Sequence, residues 1–405
     1  MRILARSAFA FAFYLTMWSA PAAMAQSTSE GQPPFDEWLK TLQAEAVGRG
    51  FDAATVDRAL AGVQPIDRVI ELDRKQPEFT LTFGGYMSRV ISEARIQRGR
   101  ALLKEHAALL TEVTAKHKVQ PRFLVAFWGL ETNFGDYFGA FPVAGALATL
   151  AHDGRRSAFF REQLLASLDL MSRGDIPTDV MGSWAGAMGN FQFIPTTYRD
   201  FAIDYDGDNK RDLWNNLHDS FASAANYLSR SGWDMERTWG REVRLPDDFD
   251  VSLTGLKQRR DLAEWQRLGV RRADGRDLPK VDIEGAVLLP AGLRGPAFMI
   301  YGNFDAILRW NRSIFYAIAV GHLADRLAGG GRFLKQPPAD DVPMSRDDVM
   351  EMQRLLGSRG FDAGEPDGVI GSKTRAAVRA YQRAQGLPAD GYPSSLILKH
   401  LRGGT

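Results

Sequence analysis

Pro121-Arg-Phe-Leu-Val-Ala-Phe-Trp-Gly-Leu-Glu-Thr-Asn-Phe-Gly135 is the most telling segment of the chain. Pro121 suits the first turn of a helix, where its missing N–H has no bond to lose, and Gly135 suits the stop. Between them Leu124, Phe127, Trp128 and Glu131 recur at i, i+3, i+4 and i+7, so Glu131 shares the apolar face of the helix. A carboxylate so placed either finds a partner or takes up a proton. Without a partner its pKa climbs toward neutrality, the condition a general acid needs. With one, it is a core glutamate held by hydrogen bonds or an arginine.

Composition narrows the chemistry around that residue. The chain has 405 residues, with 50 Lys plus Arg against 49 Asp plus Glu, six His and no Cys. Such a length suits roughly two or three domains, and 45% hydrophobic with 24% charged residues is ordinary for a protein with a sizeable core. A formal charge of +1 lacks the cation surplus a general nucleic-acid binder uses, so nucleic acid is not an expected partner. The absence of Cys excludes thiol nucleophiles, disulfides, iron–sulfur clusters and thiolate zinc sites. No two of His106, His117, His152, His218, His322 and His400 stand three to five apart, so a helical zinc-protease motif is missing too. Carboxylates, hydroxyls and amides remain.

Residues 1–25 read as an export signal: Arg2 and Arg6, a charge-free apolar run from Ala8 to Trp18, then Ala23-Met24-Ala25 ahead of Gln26. The run is short for a membrane span, and no Cys at the cleavage point could accept a lipid, so a periplasmic protein without a membrane anchor is expected. An uncleaved N-terminal anchor is the alternative. After a polar leader at residues 27–34, residues 35–328 read as one mostly helical catalytic domain, with a strand-like insertion at about residues 245–289 that includes Val281-Asp-Ile and Ala286-Val-Leu-Leu. Residues 329–344 have linker composition, and residues 345–402 form a short final module.

Ser183-Trp-Ala-Gly-Ala-Met-Gly-Asn-Phe-Gln-Phe-Ile-Pro-Thr-Thr-Tyr198 is rich in small residues that let backbone approach a ligand, punctuated by Ser183, Asn190 and Gln192, which could grip a neutral polar substrate. The competing reading is a tight turn that packs helices through its glycines. Together with Glu131-Thr-Asn-Phe-Gly and Asn226-Tyr227, in this order and spacing, the block resembles the lytic murein transglycosylases of the B type, family 3 of the lytic transglycosylases, over residues 35–328. The resemblance implies a mainly α protein whose helical catalytic domain is lysozyme-like and carries a small β-containing insertion. It also implies cleavage of the β-1,4 bond between N-acetylmuramic acid and N-acetylglucosamine of peptidoglycan, with Glu131 as the single acid/base. Ser183, Gln192 and Tyr227 match residues lining the sugar groove, Arg155 and Arg156 a basic pair near the substrate, and Asn311 and Tyr316 a late motif on the groove wall. Trp310 departs from the Tyr expected before that Asn.

Ordinary glycosidases place two carboxylates about the bond; here Asp136 and Asp153 are candidates for the second by proximity in sequence alone. A single carboxyl suffices if the substrate's own C6 hydroxyl closes a 1,6-anhydro ring, with no cofactor in the chemistry. A water-admitting muramidase and a non-catalytic wall-binding scaffold are the rival readings.

Asp204-Tyr-Asp-Gly-Asp-Asn-Lys-Arg-Asp212 sets carboxylates at positions 1, 3 and 5 of an EF-hand-like loop, with the Lys210 carbonyl at position 7. Asn209 replaces the usual Gly and Asn215 the usual Glu, so a ligand set of Asp204, Asp206, Asp208, Lys210 and Asp219 around a structural Ca2+ competes with a plain Asp-rich turn that caps a helix. In the final module Ser372 suits an N-cap, and Arg375, Arg379 and Arg383 step by four into a basic stripe. From Asp367-Gly-Val-Ile-Gly to Tyr381-Gln382 it resembles the three-helix peptidoglycan-binding domain, which implies binding to peptidoglycan and a raised effective concentration of the catalytic domain on the polymer. Glycan strands are the expected partner; cell-wall synthesis or divisome proteins are the further candidates.

Overall fold

A computed structural model describes residues 33–75 and 81–403, and the export signal read at residues 1–25 lies outside them. In chain order the elements begin with α1 (Phe35–Gly48), α2 (Ala53–Leu60), α3 (Asp67–Lys75), α4 (Phe83–Val90), α5 (Glu93–Glu105), α6 (Ala107–His117) and α7 (Pro121–Thr132). Then come β1 (Phe141–Pro142), α8 (Val143–His152), α9 (Ser157–Ser172), β2 (Met181–Gly182), α10 (Pro195–Phe201) and α11 (Leu217–Arg230). The remainder is β3 (Gly240–Arg244), β4 (Arg259–Asp261), α12 (Leu262–Arg267), β5 (Arg271–Arg272), β6 (Glu284–Leu288), β7 (Ala297–Ile300), α13 (Gly302–Trp310), α14 (Ile314–Leu327), α15 (Arg346–Ser358), α16 (Ser372–Ala384) and α17 (Ser395–Leu401). The chain is mainly helical, as expected, and among the described residues no helix is long and apolar enough to cross a membrane.

Among the described residues, one compact unit joins residues 33–75 to 97–231, and a second joins residues 81–96 to 232–403. In the first, α7 and α8 are buried nearly throughout, because a helix that is apolar all round has no face to give to water. Thr149 is a polar exception in α8. Its hydroxyl donates back to the Gly145 carbonyl at 2.7 Å and accepts from the Ile66 N–H at 3.1 Å, so it brings no unpaired group inside. β1 and β2 are a two-residue antiparallel pair, Phe141 opposite Gly182, that leads the chain into the Ser183 segment.

In the second unit five antiparallel strands order as β4-β6-β7-β3-β5. The strand-like text at residues 245–289 understates this sheet, which runs from Gly240 to Ile300, and Val281-Asp-Ile is not a strand. The central strand β7 is buried at all four residues, so its sequence Ala-Phe-Met-Ile shows no alternation by which to recognise it. Trp265, Val243, Val287 and Met299 form the apolar layer against one side. The final three helices close their own core around Met352, Leu356, Val378, Tyr381 and Leu401. Ser345 and Asp348 form a reciprocal capping box at the start of α15, whereas Ser372 is the first helical residue of α16 and Gly371 holds the cap.

Residues 329–344, with the composition of a linker, carry no helix or strand but are strapped down. Glu242 accepts from the backbone N–H of Leu334 and of Lys335 at 2.7 Å each, and Lys335 Nζ donates to the Leu293 carbonyl at 2.7 Å. Arg294 grips both oxygens of Asp340, at 2.7 and 2.8 Å, and Tyr392 donates to Asp341 at 2.7 Å. Asp390 accepts from the Leu293 N–H at 2.9 Å, which joins the three-helix module to the sheet segment directly.

His322, on α14, is buried with its ring 3.9 Å from that of Phe333. Burial, assisted by the Arg326 charge, pushes its pKa from 6.5 to about 3. The folded protein therefore keeps the ring neutral where the unfolded chain protonates it, and stability is lost as pH falls from 6.5 toward about 3. At about 1.4 kcal/mol per pH unit, urea melts should show a wild-type deficit against His322→Phe that widens steadily below pH 6.5 and is absent above it.

Candidate active site

Glu131 sits on the last turn of α7 and is 6% exposed. The expected apolar face proves too narrow, since every residue from Phe123 to Thr132 is buried and Glu131 has protein on all sides of its helix. The helix also stops earlier than Gly135. Asn133 caps it at φ 54°, Phe134 follows at φ 63° and Gly135 at φ 81°, three left-handed residues in a row. Asn133 tolerates this because its amide donates to Asp136 at 2.8 Å. Phe134 tolerates it because its ring folds back over Gly129, where a Cβ would stand 2.6 Å from the ring.

The Ser183–Tyr198 segment packs beside that turn, but not chiefly by lending its amides outward. Asn190, read as a substrate-gripping amide, is instead used up inside the protein: its Oδ1 accepts from Trp128 Nε1 at 2.7 Å, and its Nδ2 donates to the carbonyls of Leu213 at 3.0 Å and Trp214 at 2.9 Å. A buried amide has to satisfy its hydrogens where it lies, and these acceptors are at hand. Ser183 Oγ accepts from the N–H of Ala185 at 3.3 Å and of Ala187 at 3.0 Å. Gln192, at φ 49°, donates to the carbonyls of Phe138 at 3.1 Å and Gly189 at 3.2 Å. Gly189 faces Leu213, whose Cβ and carbonyl would be 2.8 Å from an added Cβ. At Gly186, where an added Cβ would lie 2.6 Å from Leu147, and at Gly189 the small residue also serves packing.

Tyr227, half-buried on α11, lies with its ring 4.7 Å from Phe201 and 6.1 Å from Phe193. Glu131, Ser183, Gln192 and Tyr227 are thus carried by segments of the first unit that bond or pack together through Thr132, Asn190 and Phe193. Arg155 and Arg156 follow α8, and both turn to Asp73 on α3: Arg155 Nε lies 2.8 Å from its carboxylate, and Arg156 pairs with the other oxygen. Asp73 went unread in the sequence, although it stands four residues after the buried Val69 on the same helix face, a signal like the one that drew notice to Glu131. Asp136 and Asp153 are likewise committed. Arg98 grips Asp136 and holds its carboxyl below the usual range, while Arg74 meets Asp153 at 2.8 Å.

Asn311 and Tyr316 belong to the second unit, where both are buried. Asn311 caps the end of α13 and accepts from the Ser313 N–H at 3.0 Å, and Ser313 in turn caps α14 at the Tyr316 N–H. Trp310, the departing residue, closes the last turn of α13 and is buried.

In the acidic loop, oxygens of Asp204, Asp206 and Asp219 lie within 4.8 Å of one another, a donor set that fits a hard cation with further oxygen ligands. Asp208, expected in that set, is not among the three; its carboxylate accepts from the Lys210 N–H at 2.8 Å. Asn209 adopts φ 66° in the place of the usual Gly. Asp219 is fully buried and accepts from Tyr205 N at 2.8 Å and Asp212 N at 2.9 Å, holding both ends of the loop. Burial raises its pKa, with the charges of Asp206 and Asp204 adding to the rise.

These features have close counterparts. Residues 34–325 match the family model of the transglycosylase SLT domain, and residues 345–401 match a peptidoglycan binding domain. SltB3 from Pseudomonas aeruginosa, solved in complex with NAG-anhNAM-pentapeptide, is 48% identical, covers 92% of this chain and 100% of its own, and superposes with a TM-score of 0.87. Slt35 from Escherichia coli, solved in complex with calcium, is 27% identical over 72% of this chain and 92% of its own, with a TM-score of 0.62. The membrane-bound lytic murein transglycosylase B of Escherichia coli K12 is 28% identical over 303 residues, 69% of this chain and 79% of that one. The chain belongs to the SLT-domain transglycosylase family and is a lytic transglycosylase of peptidoglycan with a C-terminal peptidoglycan-binding domain.

The tight fold-back beside Glu131 gives a direct test. Gly129→Ala should destabilise the protein by about 1–3 kcal/mol through overpacking against Phe134. Gly48→Ala, at a helical glycine with nothing within 4 Å, should leave it as stable or slightly more so. Paired thermal melts check the contrast.

Proposed function

We propose that Glu131 is the single acid/base of a non-hydrolytic cleavage. The observation that carries this reading is a buried carboxyl at the end of α7 whose two sequence neighbours of like chemistry, Asp136 and Asp153, are each engaged by an arginine. A two-carboxylate mechanism needs a second group at hand to attack or to activate water. Here the substrate supplies the nucleophile. Glu131 gives its proton to the glycosidic O4 as the C1–O4 bond breaks, releasing the N-acetylglucosamine end. The carboxylate then takes the proton of the muramoyl C6 hydroxyl, and O6 bonds to C1 to close the 1,6-anhydro ring. The proton count balances, Glu131 ends as it began, and no water enters. The intramolecular attack gains from the short tether between O6 and C1. The anhydro sugar in the SltB3 complex supports the same outcome.

Within the first unit, Ser183, Gln192 and Tyr227 line the sugar groove around the acid, and Arg155 and Arg156 meet the substrate's anionic groups while braced by Asp73. The export signal puts the enzyme in the periplasm, on glycan strands, with cell-wall synthesis or divisome proteins as candidate partners. Asp204, Asp206 and Asp219 would hold a structural Ca2+. Such an ion would neutralise the crowded carboxylates and would serve the fold and not the chemistry.

Mass spectrometry of muropeptides released from purified peptidoglycan tests the reaction. Products lighter by one water than hydrolytic ones, lost with Glu131→Gln, are expected. Reducing-end products that still depend on Glu131 would move the enzyme to the muramidases, and binding without release in the wild type would make it a scaffold. Calcium at a hundredfold excess over its Kd should raise stability by about 2.7 kcal/mol, seen as a higher Tm that EDTA reverses and Asp206→Asn weakens.

A further inference from the structure

We propose that Asn190 is the positioning residue for Glu131, tying the last turn of the catalytic helix to the turn that closes the acidic loop. The inference rests on the reading of Glu131 as the acid/base.

Asn190 is 1% exposed, and its bonds reach two segments far apart in sequence. Toward α7, its Oδ1 takes the Trp128 indole N–H at 2.7 Å and its backbone carbonyl takes the Thr132 hydroxyl at 2.9 Å. Trp128 and Thr132 are four apart, on one side of the helix, and Glu131 lies between them, one residue before Thr132. Toward the other segment, its backbone N–H meets the Leu213 carbonyl at 2.8 Å, and its Nδ2 meets the Leu213 and Trp214 carbonyls. Those carbonyls belong to the residues just after Asp212, whose own N–H is held by Asp219. A path of hydrogen bonds, linked through the backbone of residues 212–214, thus runs from the buried carboxylate of the acidic loop to the turn that carries Glu131.

The path matters because it meets α7 where the backbone reverses. After Thr132 the backbone leaves the helix through three left-handed residues, two of them not glycine. Thr132 Oγ1 accepts from Gly135 N at 3.0 Å while its proton goes to the Asn190 carbonyl, so one hydroxyl pins the reversed turn to the loop. Gly135 itself has to be small, since a Cβ there would stand 3.0 Å from Asn190 Oδ1. An acid that serves twice, first giving a proton and then taking one from a different oxygen, needs its carboxyl placed to within a fraction of an ångström, and a 1 Å error costs about a hundredfold.

The test uses the full-length protein on soluble glycan strands, with Asn190→Ala and the milder Thr132→Val compared with Asn303→Ala. Asn303 is a matched control in the other unit: 1% exposed, with its Nδ2 on the Asp234 and Arg237 carbonyls and its Oδ1 accepting from Asp234 N. Asn190→Ala and Thr132→Val should lower kcat about 10- to 100-fold with KM changed by less than about threefold. Asn303→Ala should lower Tm yet keep kcat per folded molecule. Wild-type kcat in Thr132→Val, or an equal kcat loss in Asn303→Ala, would overturn the positioning role. Glu131→Gln separates the two claims: if it is inactive while the Asn190 and Thr132 variants work normally, only the positioning role fails, and if it is active the acid/base reading fails with it.

Discussion

A carboxyl group carried by a helix buried on every side can be reached by a substrate only if the backbone turns away within a residue or two of it. Much of the first unit follows from holding that turn. Left-handed residues other than glycine cost of order 1–3 kcal/mol each where the surroundings do not compensate, and Asn133 and Phe134 are both of that kind. Their compensation is local and specific: an amide on Asp136, an arginine gripping that same aspartate, a ring laid over Gly129, and a threonine hydroxyl shared between Gly135 and Asn190. Each neutral hydrogen bond contributes only about 0.5–1.5 kcal/mol, so the turn depends on several acting together and in a dry setting, where such networks stiffen one another.

The acidic loop shows the same economy of parts. Asp219 reaches from α11 to the two ends of the loop, and Asp204 accepts from the N–H groups of Gly207 and Asn209 within it. Lys116 places its ammonium 4.5 Å over the Tyr205 ring beside this concentration of negative charge. The loop is shaped by its own backbone donors as well as by what a cation would add, so it presents a formed turn and not a slack chain.

What could be read in advance follows from which physical signals are local. The burial of Glu131, the proline start of α7, the three-helix module and the acidic loop are set by residues near one another in sequence, and each was legible. The helix end at Asn133 was missed because glycine is the commoner left-handed residue and stood two positions later. Asn190 looked like a ligand for sugar because an amide in a glycine-rich segment does not reveal what lies behind it; Trp128, Leu213 and Trp214 come from elsewhere in the chain. Arg155 and Arg156 were visible as a pair, but their brace, Asp73, is about eighty residues away and announced itself only as one acid on an amphipathic helix. Strand β7 was hidden by its own complete burial.

The strapped segment at residues 329–344 changes what its composition would mean mechanically. A loose tether lets a binding module sweep a volume, and its gain in local concentration then falls as the tether lengthens. Here Glu242, Leu293 and Arg294 hold the segment, while Asp390 and Tyr392 fasten the three-helix module at its far side. The module and the five-stranded sheet are therefore linked by direct bonds as well as by the chain. Residues inserted into that segment would first have to break these bonds before they lengthened the reach of the module, so this stretch works as a clasp whose length is set by its contacts and not by its residue count.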